Sequence, residues 1–173
     1  MKMLQDNNLL YQEIQQFRQP WLWLMLFVVS ALSLYTGIYP IIAGNNFTNR
    51  PLQDIIIFLF GCVFGIGLPL IFFKCKLITE VRKDGVYISF FPLLFSVEII
   101  PFYALKSYTV KTYRPLRDYG GWGIRYGRKG KAFNVSGNRG IQLELINGER
   151  ILIGSRSPEA FVKAIETALT HQN

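Results

Sequence analysis

The residues best suited to binding a ligand lie between Tyr113 and Lys131. These 19 residues include six basic residues, one acidic residue, five glycines and four aromatic residues. Arginine can donate paired hydrogen bonds to phosphate or carboxylate groups, and glycine lets the backbone approach a ligand or adopt a positive φ. The composition therefore predicts an anion-binding site. Its candidate residues, which include one arginine further along the chain, are Arg114, Arg117, Arg125, Arg128, Lys129, Lys131 and Arg139.

The same segment also has a purely structural interpretation. A twisted β-hairpin needs glycines at its bulges, and in that case Trp122 and Ile124 would belong to the core. The arginines would then cover aromatic rings or pair with Asp118. The sequence leaves both interpretations open.

Catalytic chemistry has little support in this sequence. The single histidine, His171, is third from the end, and the carboxylates are scattered along the chain. No Cys/His cluster has the spacing of a metal site, and Gly121, Gly123 and Gly127 do not match a dinucleotide-binding fingerprint. We therefore expect no enzyme activity, no cofactor and no metal.

Two long apolar runs precede this segment. Trp21 to Ile42 contains no charge over 22 residues, and Ile55 to Phe73 contains none over 19. At about 1.5 Å per residue, either run is long enough to cross a hydrocarbon core of roughly 30 Å as a helix. The sequence predicts an integral membrane protein, with two transmembrane helices at about 21–42 and 55–73 in a region covering residues 20–74.

The basic residues that flank the two runs predict the topology. The loop from Ala43 to Asp54 has a single basic residue, whereas Lys74, Lys76, Arg82 and Lys83 follow the second run. Basic residues concentrate on the cytoplasmic side of membrane proteins. We therefore expect both termini in the cytoplasm. We do not expect a cleaved signal peptide, because the first run is too long and begins after about twenty polar residues.

The net charge of +8 comes from one part of the chain. Residues 1–73 have a net charge of zero, whereas residues 74–173 contain 16 Lys or Arg and 8 Asp or Glu. A basic domain predicts anionic partners, here anionic lipid headgroups or an acidic protein. Nucleic acid is not expected, because the domain is tethered close to the bilayer. The alternative is a positive-inside bias combined with solvated surface charge.

Residues 1–19 are predicted to form an amphipathic helix at the membrane interface. Leu10, Ile14 and Phe17 recur at positions i, i+4 and i+7, with polar residues between them, and this spacing is typical of one apolar helix face.

The second apolar run contains a GxxxG pair, Gly61 and Gly65. Small residues at this spacing allow two helices to approach closely. The expected partner is the first helix of the same hairpin. A second copy or another protein is the alternative, which would give a homo- or hetero-oligomer.

The hydrophobic period changes to two after Lys74, which indicates β-strands. Asp84-Gly85 and Asn147-Gly148 have strong hairpin-turn chemistry, and Ser157 and Pro158 begin an amphipathic helix. Residues 76–173 are therefore predicted to form an α+β domain. The predicted fold is a strongly bent antiparallel sheet or a partly open β-barrel of about seven strands, capped by the C-terminal helix, which follows a membrane α-helical hairpin.

Several motifs resemble those of an uncharacterised family of small prokaryotic membrane proteins with two spans. They are Phe17–Trp21, Leu77–Val81, Tyr119–Arg125 with its Gly-Gly-Trp-Gly-Ile-Arg string, Ser136–Gly140 and Leu152–Ser155. The soluble part of that family is similar to bacterial pleckstrin-homology domains. The resemblance implies a seven-stranded barrel with a C-terminal helix, in a prokaryotic plasma membrane, and it supplies no activity.

Together these features predict a membrane-anchored, non-enzymatic interaction module. Its basic Gly/Arg/aromatic loop would dock on anionic lipid headgroups or on an acidic partner. The alternative is a small accessory or assembly subunit of a membrane complex, held by helix–helix and sheet-edge contacts.

Overall fold

The structure is a computed structural model that describes residues 8–42, 51–94, 96–127 and 129–171. The chain divides into two compact units. A β-rich unit comprises Met1–Gln16 and Lys76–Asn173, and a helical unit comprises Phe17–Cys75. The helical unit is therefore inserted into the sequence of the β-rich unit.

The helical unit contains two apolar helices. The first is α1 (Pro20–Ile42), and the second consists of α2 (Pro51–Cys62), a π-helical segment (Val63–Gly67) and α3 (Leu68–Lys74). Both are long and apolar enough to cross a membrane, over Pro20–Tyr39 and Leu52–Lys74. The prediction of two apolar helices is confirmed.

Glycines allow the two helices to lie close together. A Cβ atom on Gly61 would lie 2.8 Å from the carbonyl oxygen of Ser33, and one on Gly65 would lie 2.5 Å from Cγ of Leu34. Both distances are too short for a side chain to fit without movement of α1. The GxxxG pair therefore faces α1 of the same chain.

The π-helical segment has a local cause in the sequence. Pro69 has no backbone N–H and cannot make the usual helical hydrogen bond. In the preceding turn, the N–H of Leu68 bonds instead to the carbonyl of Val63, five residues back. Such a wide turn lets the helix continue around the proline.

The strands of the β-rich unit form two sheets. The first has the order β1-β2-β3-β4 and the second has the order β5-β8-β9-β7-β6. All pairs are antiparallel except β7 with β9. The strands are β1 (Leu9–Gln16), β2 (Lys76–Arg82), β3 (Gly85–Phe91), β4 (Glu98–Pro101), β5 (Leu105–Thr112), β6 (Gly123–Gly127), β7 (Gly130–Asn134), β8 (Arg139–Leu145) and β9 (Arg150–Gly154).

This arrangement corrects the predicted barrel of about seven strands. Across the described residues there are nine strands, and the two sheets do not join into a closed barrel. Three of these nine strands are β1 and the two strands of the β6–β7 hairpin, which lies inside the basic segment. Mixed α+β content, β-sheets and a C-terminal helix are confirmed.

The predicted N-terminal helix is wrong over Leu9–Gln16, which form β1; residues 1–7 lie outside the described part of the chain. β1 pairs with β2 from Leu9↔Arg82 to Gln16↔Lys76. Along this strand Tyr11, Glu13 and Gln15 are less exposed than Gln12 and Ile14. The alternation has period two because successive side chains of a strand point to opposite faces, and here the inward face is largely polar.

Partners distant in sequence satisfy the inward polar face of β1. The carboxylate of Glu13 accepts hydrogen bonds from the Ser155 hydroxyl at 2.6 Å and from the Arg156 N–H at 2.8 Å. The side-chain amide of Gln15 donates to the carbonyl of Gly154 at 2.7 Å. A local helical period cannot reveal contacts with residues so far along the chain, which is why the helix prediction failed.

The strongest local signals in the β-rich unit are confirmed. Asp84-Gly85 connects the paired strands β2 and β3, and Asn147-Gly148 lies between the paired strands β8 and β9. The C-terminal helix is α5 (Pro158–Thr170), which contacts strands of both sheets. Its side chains at Phe161, Ile165 and Ala168 are fully buried.

Candidate anion-binding site

The basic segment folds as a short helix, α4 (Pro115–Tyr119), followed by the β6–β7 hairpin. Tyr113 and Tyr119 are buried and form an edge-to-face pair with ring centroids 6.0 Å apart. They cluster with Ala132 and Leu152 of the second sheet. Burial raises the pKa of Tyr113 to about 12, so its phenol is neutral at physiological pH. These two aromatic residues therefore belong to the core.

The cations beside these tyrosines lie on the surface, where they line a concavity. Arg114, Arg117 and Lys129 are exposed. The concavity has a volume of about 480 Å³ and is lined by Thr112, Tyr113, Arg114, Arg117, Asp118, Lys129 and Asn138. We call it the cationic concavity. Three of the seven predicted anion-binding residues thus lie around one depression.

Backbone contacts hold the wall of this concavity in place. The N–H of Tyr113 donates to the carbonyl of Asn138 at 2.8 Å. The neighbouring residues Thr112 and Arg139 are paired across strands β5 and β8. The end of β5 is therefore tied to the turn before β8, and α4 starts directly from this fixed point.

Asp118 is the single carboxylate among the lining residues. It accepts hydrogen bonds from the Lys129 ammonium at 2.7 Å and from the backbone N–H of Arg114 at 2.9 Å. The Lys129 hydrogen bond, followed by that from Arg114, lowers the pKa of this carboxyl below its usual range. Asp118 is therefore ionised at neutral pH, and it forms an ion pair with Lys129, one of the three cations.

The charge balance of the concavity suits an anionic ligand. Among the described lining residues, one carboxylate and three cations leave a net charge of +2. Within the described ranges, the guanidinium groups of Arg114 and Arg117 form no ion pair. Two arginines with free donors can bind the oxygens of a phosphate or a carboxylate.

Arg125 lies outside the cationic concavity and contacts its own turn. Its Nε–H donates to the carbonyl of Trp122 at 2.9 Å. A Cβ atom on Gly121 would lie 3.3 Å from the Arg125 guanidinium, and Gly121 has a φ of 130°. Glycine is the residue that adopts this conformation readily. The arginine therefore covers the backbone of the turn between α4 and β6.

Lys131 is likewise separate from the concavity. Its ammonium group makes a close ion pair with Glu98 and lies 4.8 Å from the ring centroid of Phe133. Burial lowers the pKa of this ammonium group, but the interactions with Glu98 and, after them, with Tyr126 outweigh that effect and raise the pKa. Lys131 thus ties β7 to β4 of the other sheet.

Of the two remaining candidates, Arg139 is not brought into the concavity. Arg139 makes an ion pair with Glu159 at the start of α5, and Arg128 lies outside the described residues. The structure thus divides the predicted set: three residues surround the concavity, and three others stabilise turns or packing.

Four of the lining residues, Thr112, Tyr113, Asp118 and Asn138, were not among the predicted site residues. Thr112 and Asn138 have no charge and lie outside the basic segment. The sequence did contain an indirect signal, because Asn138 lies in the Ser136–Gly140 motif. Only the pairing of β5 with β8 brings this turn beside Arg114.

Potential metal ligands are dispersed. In the parts of the chain that the structure describes, no group of three or more His, Cys, Asp or Glu side chains is arranged to hold a metal ion.

A known family model matches the chain across both units. The model of a family of unknown function, DUF6141, matches residues 3–171. This chain belongs to DUF6141. The match includes β1, both apolar helices and every residue of the cationic concavity, so the predicted membership in an uncharacterised family is confirmed. No curated protein matches the chain at a significant level.

Proposed function

We propose that this protein is a membrane-anchored, non-enzymatic interaction module that binds an oxyanion in the cationic concavity. The observation that carries the proposal is the grouping of Arg114 and Arg117 around one depression, with no carboxylate of the described chain within ion-pair distance of either guanidinium. The ligand would be the phosphate of a lipid headgroup or the carboxylates of an acidic protein segment. These groups share the oxygen acceptors that arginine recognises.

Membrane anchoring is supported by the exposure of the apolar helices. Only 17% of the first candidate span and 11% of the second are buried inside the protein. The core helix of a soluble protein is mostly buried, whereas a transmembrane helix presents apolar side chains to lipid. A hydrocarbon environment would cover Leu24, Phe27, Phe60 and Phe73, each of which is at least 60% exposed.

The proposed topology follows from the strand pairing. The chain leaves the first sheet at Gln16 and returns to it at Lys76, which is the directly paired position on the neighbouring strand. Two crossings between these points bring the chain back to the side from which it left. The excess of basic residues after position 74 supports the cytoplasm as that side. The resemblance to prokaryotic proteins supports the plasma membrane of a prokaryote.

The relation to bacterial pleckstrin-homology domains is also a proposal. It is supported by two mainly antiparallel sheets and by a C-terminal helix that contacts strands of both. Fold resemblance does not by itself transfer a ligand. The proposed anion binding therefore depends on the lining residues of the cationic concavity.

An accessory subunit of a membrane complex is the alternative function. Gly61 and Gly65 face α1, so they support the hairpin rather than contact with another chain. The edge strand β5 supports the alternative better, because most of its side chains are exposed, including Val110 at 42%. A partner strand could pair along this edge.

The test of the proposed function uses the full chain in nanodiscs of phosphatidylcholine. Glycerol phosphate serves as a headgroup mimic and a glutamate-rich peptide as an acidic partner, and NMR follows the arginine Nε–H signals. We expect both probes to shift the signals of Arg114 and Arg117. Arg114→Gln with Arg117→Gln should weaken binding roughly ten- to thirty-fold, because each basic residue contributes about 1 kcal/mol near anionic groups and about 1.4 kcal/mol is tenfold.

The matched control removes two exposed lysines away from the concavity, with Lys106→Gln and Lys163→Gln. It lowers the net charge by the same amount and should leave the affinity nearly unchanged. Equal weakening by both double variants would show that only net charge matters and would contradict a defined site. Comparing the two probes distinguishes a headgroup phosphate from an acidic protein.

A further inference from the structure

The loop that follows β3 exposes apolar side chains. Phe91, at the end of the strand, and Leu93, in the loop, are each 49% exposed, and Val97 is 46% exposed. The N–H of Leu94 donates to the carbonyl of Phe90 at 2.6 Å, which holds the start of the loop against the strand end. Phe91 and Leu93 therefore present apolar side chains to their surroundings at the end of β3.

Strand register places this loop at a particular end of the first sheet. Gln16 is paired with Lys76, and Lys76 is paired with Phe91. One end of each of the strands β1, β2 and β3 therefore lies at the same end of the first sheet. At this end of the sheet the chain passes into the helical unit, which begins at Phe17 and ends at Cys75.

The two ends of the sheet differ in composition. The end beside Phe91 carries exposed apolar residues, with the exposed Lys76 opposite. The far end, where β2 turns into β3, carries Lys83 and Asp84. Single exposed apolar residues are common on any protein surface. Leu9 and Tyr103 are exposed towards the far end as well, but Phe91 and its exposed apolar neighbours lie beside the point where the chain leaves for the apolar helices. This position needs a specific explanation.

We propose that Phe91 and Leu93, at the end of β3 and the start of the following loop, insert into the lipid–water interface of the bilayer that the two helices cross. This inference rests on the membrane anchoring in the proposed function. Phe91 and Leu93 would lie at the boundary between headgroups and acyl chains, and Lys76 would reach the lipid phosphates. Apolar side chains flanked by lysine are typical of protein segments at this boundary. The loop would give the β-rich unit a third point of attachment and fix its orientation at the membrane.

The experiment uses the full chain in phosphatidylcholine nanodiscs, after Cys62→Ala and Cys75→Ala. An environment-sensitive fluorophore is attached at Leu93→Cys, at Lys83→Cys or at Ile57→Cys. Lys83 is the matched control on the same sheet, about 20 Å away at 3.3 Å per residue along β2. Ile57, in α2, reports whether the helices are in the membrane. Lipids that carry a nitroxide quencher, either near the headgroup or in mid-chain, report depth.

We expect the Leu93 label to emit at a shorter wavelength than the Lys83 label, and to be quenched several-fold more strongly by shallow nitroxides. A label at Phe91→Cys should behave in the same way and guards against a local effect of one substitution. Quenching at Ile57 with no difference between Leu93 and Lys83 would overturn this inference alone. Absence of quenching at Ile57 would overturn membrane anchoring, and both proposals with it.

Discussion

At the scale of single residues, the basic segment contributes side chains both to the core and to the cationic concavity. Tyr113 and Tyr119 point into the core, whereas Arg114 and Arg117 line the cationic concavity. Asp118 controls the charge of this concavity, because it holds the Lys129 ammonium at 2.7 Å. The site therefore contains an internal anion that competes with a bound one.

Asp118→Asn should strengthen anion binding several-fold. The substitution removes the competing carboxylate and frees the Lys129 ammonium, so the lining side chains gain one net positive charge. The asparagine side chain can still accept a hydrogen bond from the Arg114 N–H, which limits disturbance of α4. Titration with glycerol phosphate by NMR measures the change. Unchanged or weaker binding would show that Asp118 does not compete with the ligand.

The same substitution should also alter the response to acid. The pKa of Asp118 in the folded state is lowered from about 3.8. Its contribution to stability is therefore present above pH 3.8 and is lost as the pH falls through the lower, folded-state value. Unfolding measured between pH 5 and pH 2 should be less pH-dependent in Asp118→Asn than in the natural protein. Equal pH dependence in the two proteins would argue against the lowered pKa.

At the scale of elements, β1 holds the N-terminal part of the chain against the C-terminal helix α5. It pairs with β2 along its whole length, and Tyr11 stacks on Phe161 of α5 with ring centroids 5.2 Å apart. Glu13 and Gln15 add hydrogen bonds to the segment between β9 and α5. A fragment that begins at Lys76 lacks this strand and leaves β2 as an exposed edge, which is prone to association.

Replacing residues 17–75 with Asn-Gly should give a soluble, folded β-rich unit. Gln16 and Lys76 are a directly paired position, and Asn-Gly favours a two-residue hairpin turn between such strands. We expect a monodisperse protein with a cooperative unfolding transition. The matched control is the fragment of residues 76–171, which should be less stable or aggregate. If both proteins are equally stable, β1 contributes little to the fold.

At the scale of the whole molecule, charge and hydropathy are separated along the chain. Residues 74–173 carry the whole net charge of +8, and residues 20–74 contain both apolar helices. The proposed membrane hairpin joins two neighbouring strands of one sheet. An even number of crossings is therefore required for that sheet to form.

Both termini should be found on the cytoplasmic side of the membrane. Reporter domains fused separately to residues 1 and 173 should both be protected from protease added outside intact cells, and alkaline carbonate should leave the full chain in the membrane pellet. The variant that lacks residues 17–75 is the control and should appear in the supernatant. Digestion of either fusion from outside, or release of the full chain by carbonate, would contradict the proposed topology.

Local patterns in the sequence were sufficient for part of the fold. Asp84-Gly85 and Asn147-Gly148 gave the two hairpins, because a turn depends on a few adjacent residues. The two apolar runs gave the helices, and the stripe containing Phe161 and Ile165 gave α5. Each of these elements is specified by the period or turn chemistry of its own residues.

The tertiary structure decided what depends on partners far along the chain. The sequence could not show that Leu9–Gln16 form a strand, because their polar inward face finds its partners beyond residue 150. Nor could it separate Arg114, Arg117 and Lys129 from Arg125, Lys131 and Arg139. All six are basic. Only the fold places Glu98 beside Lys131, Glu159 beside Arg139 and the carbonyl of Trp122 beside Arg125, so that these three cations bind partners away from the concavity. A charge is determined by residue type, whereas its availability to a ligand is determined by what the fold places beside it.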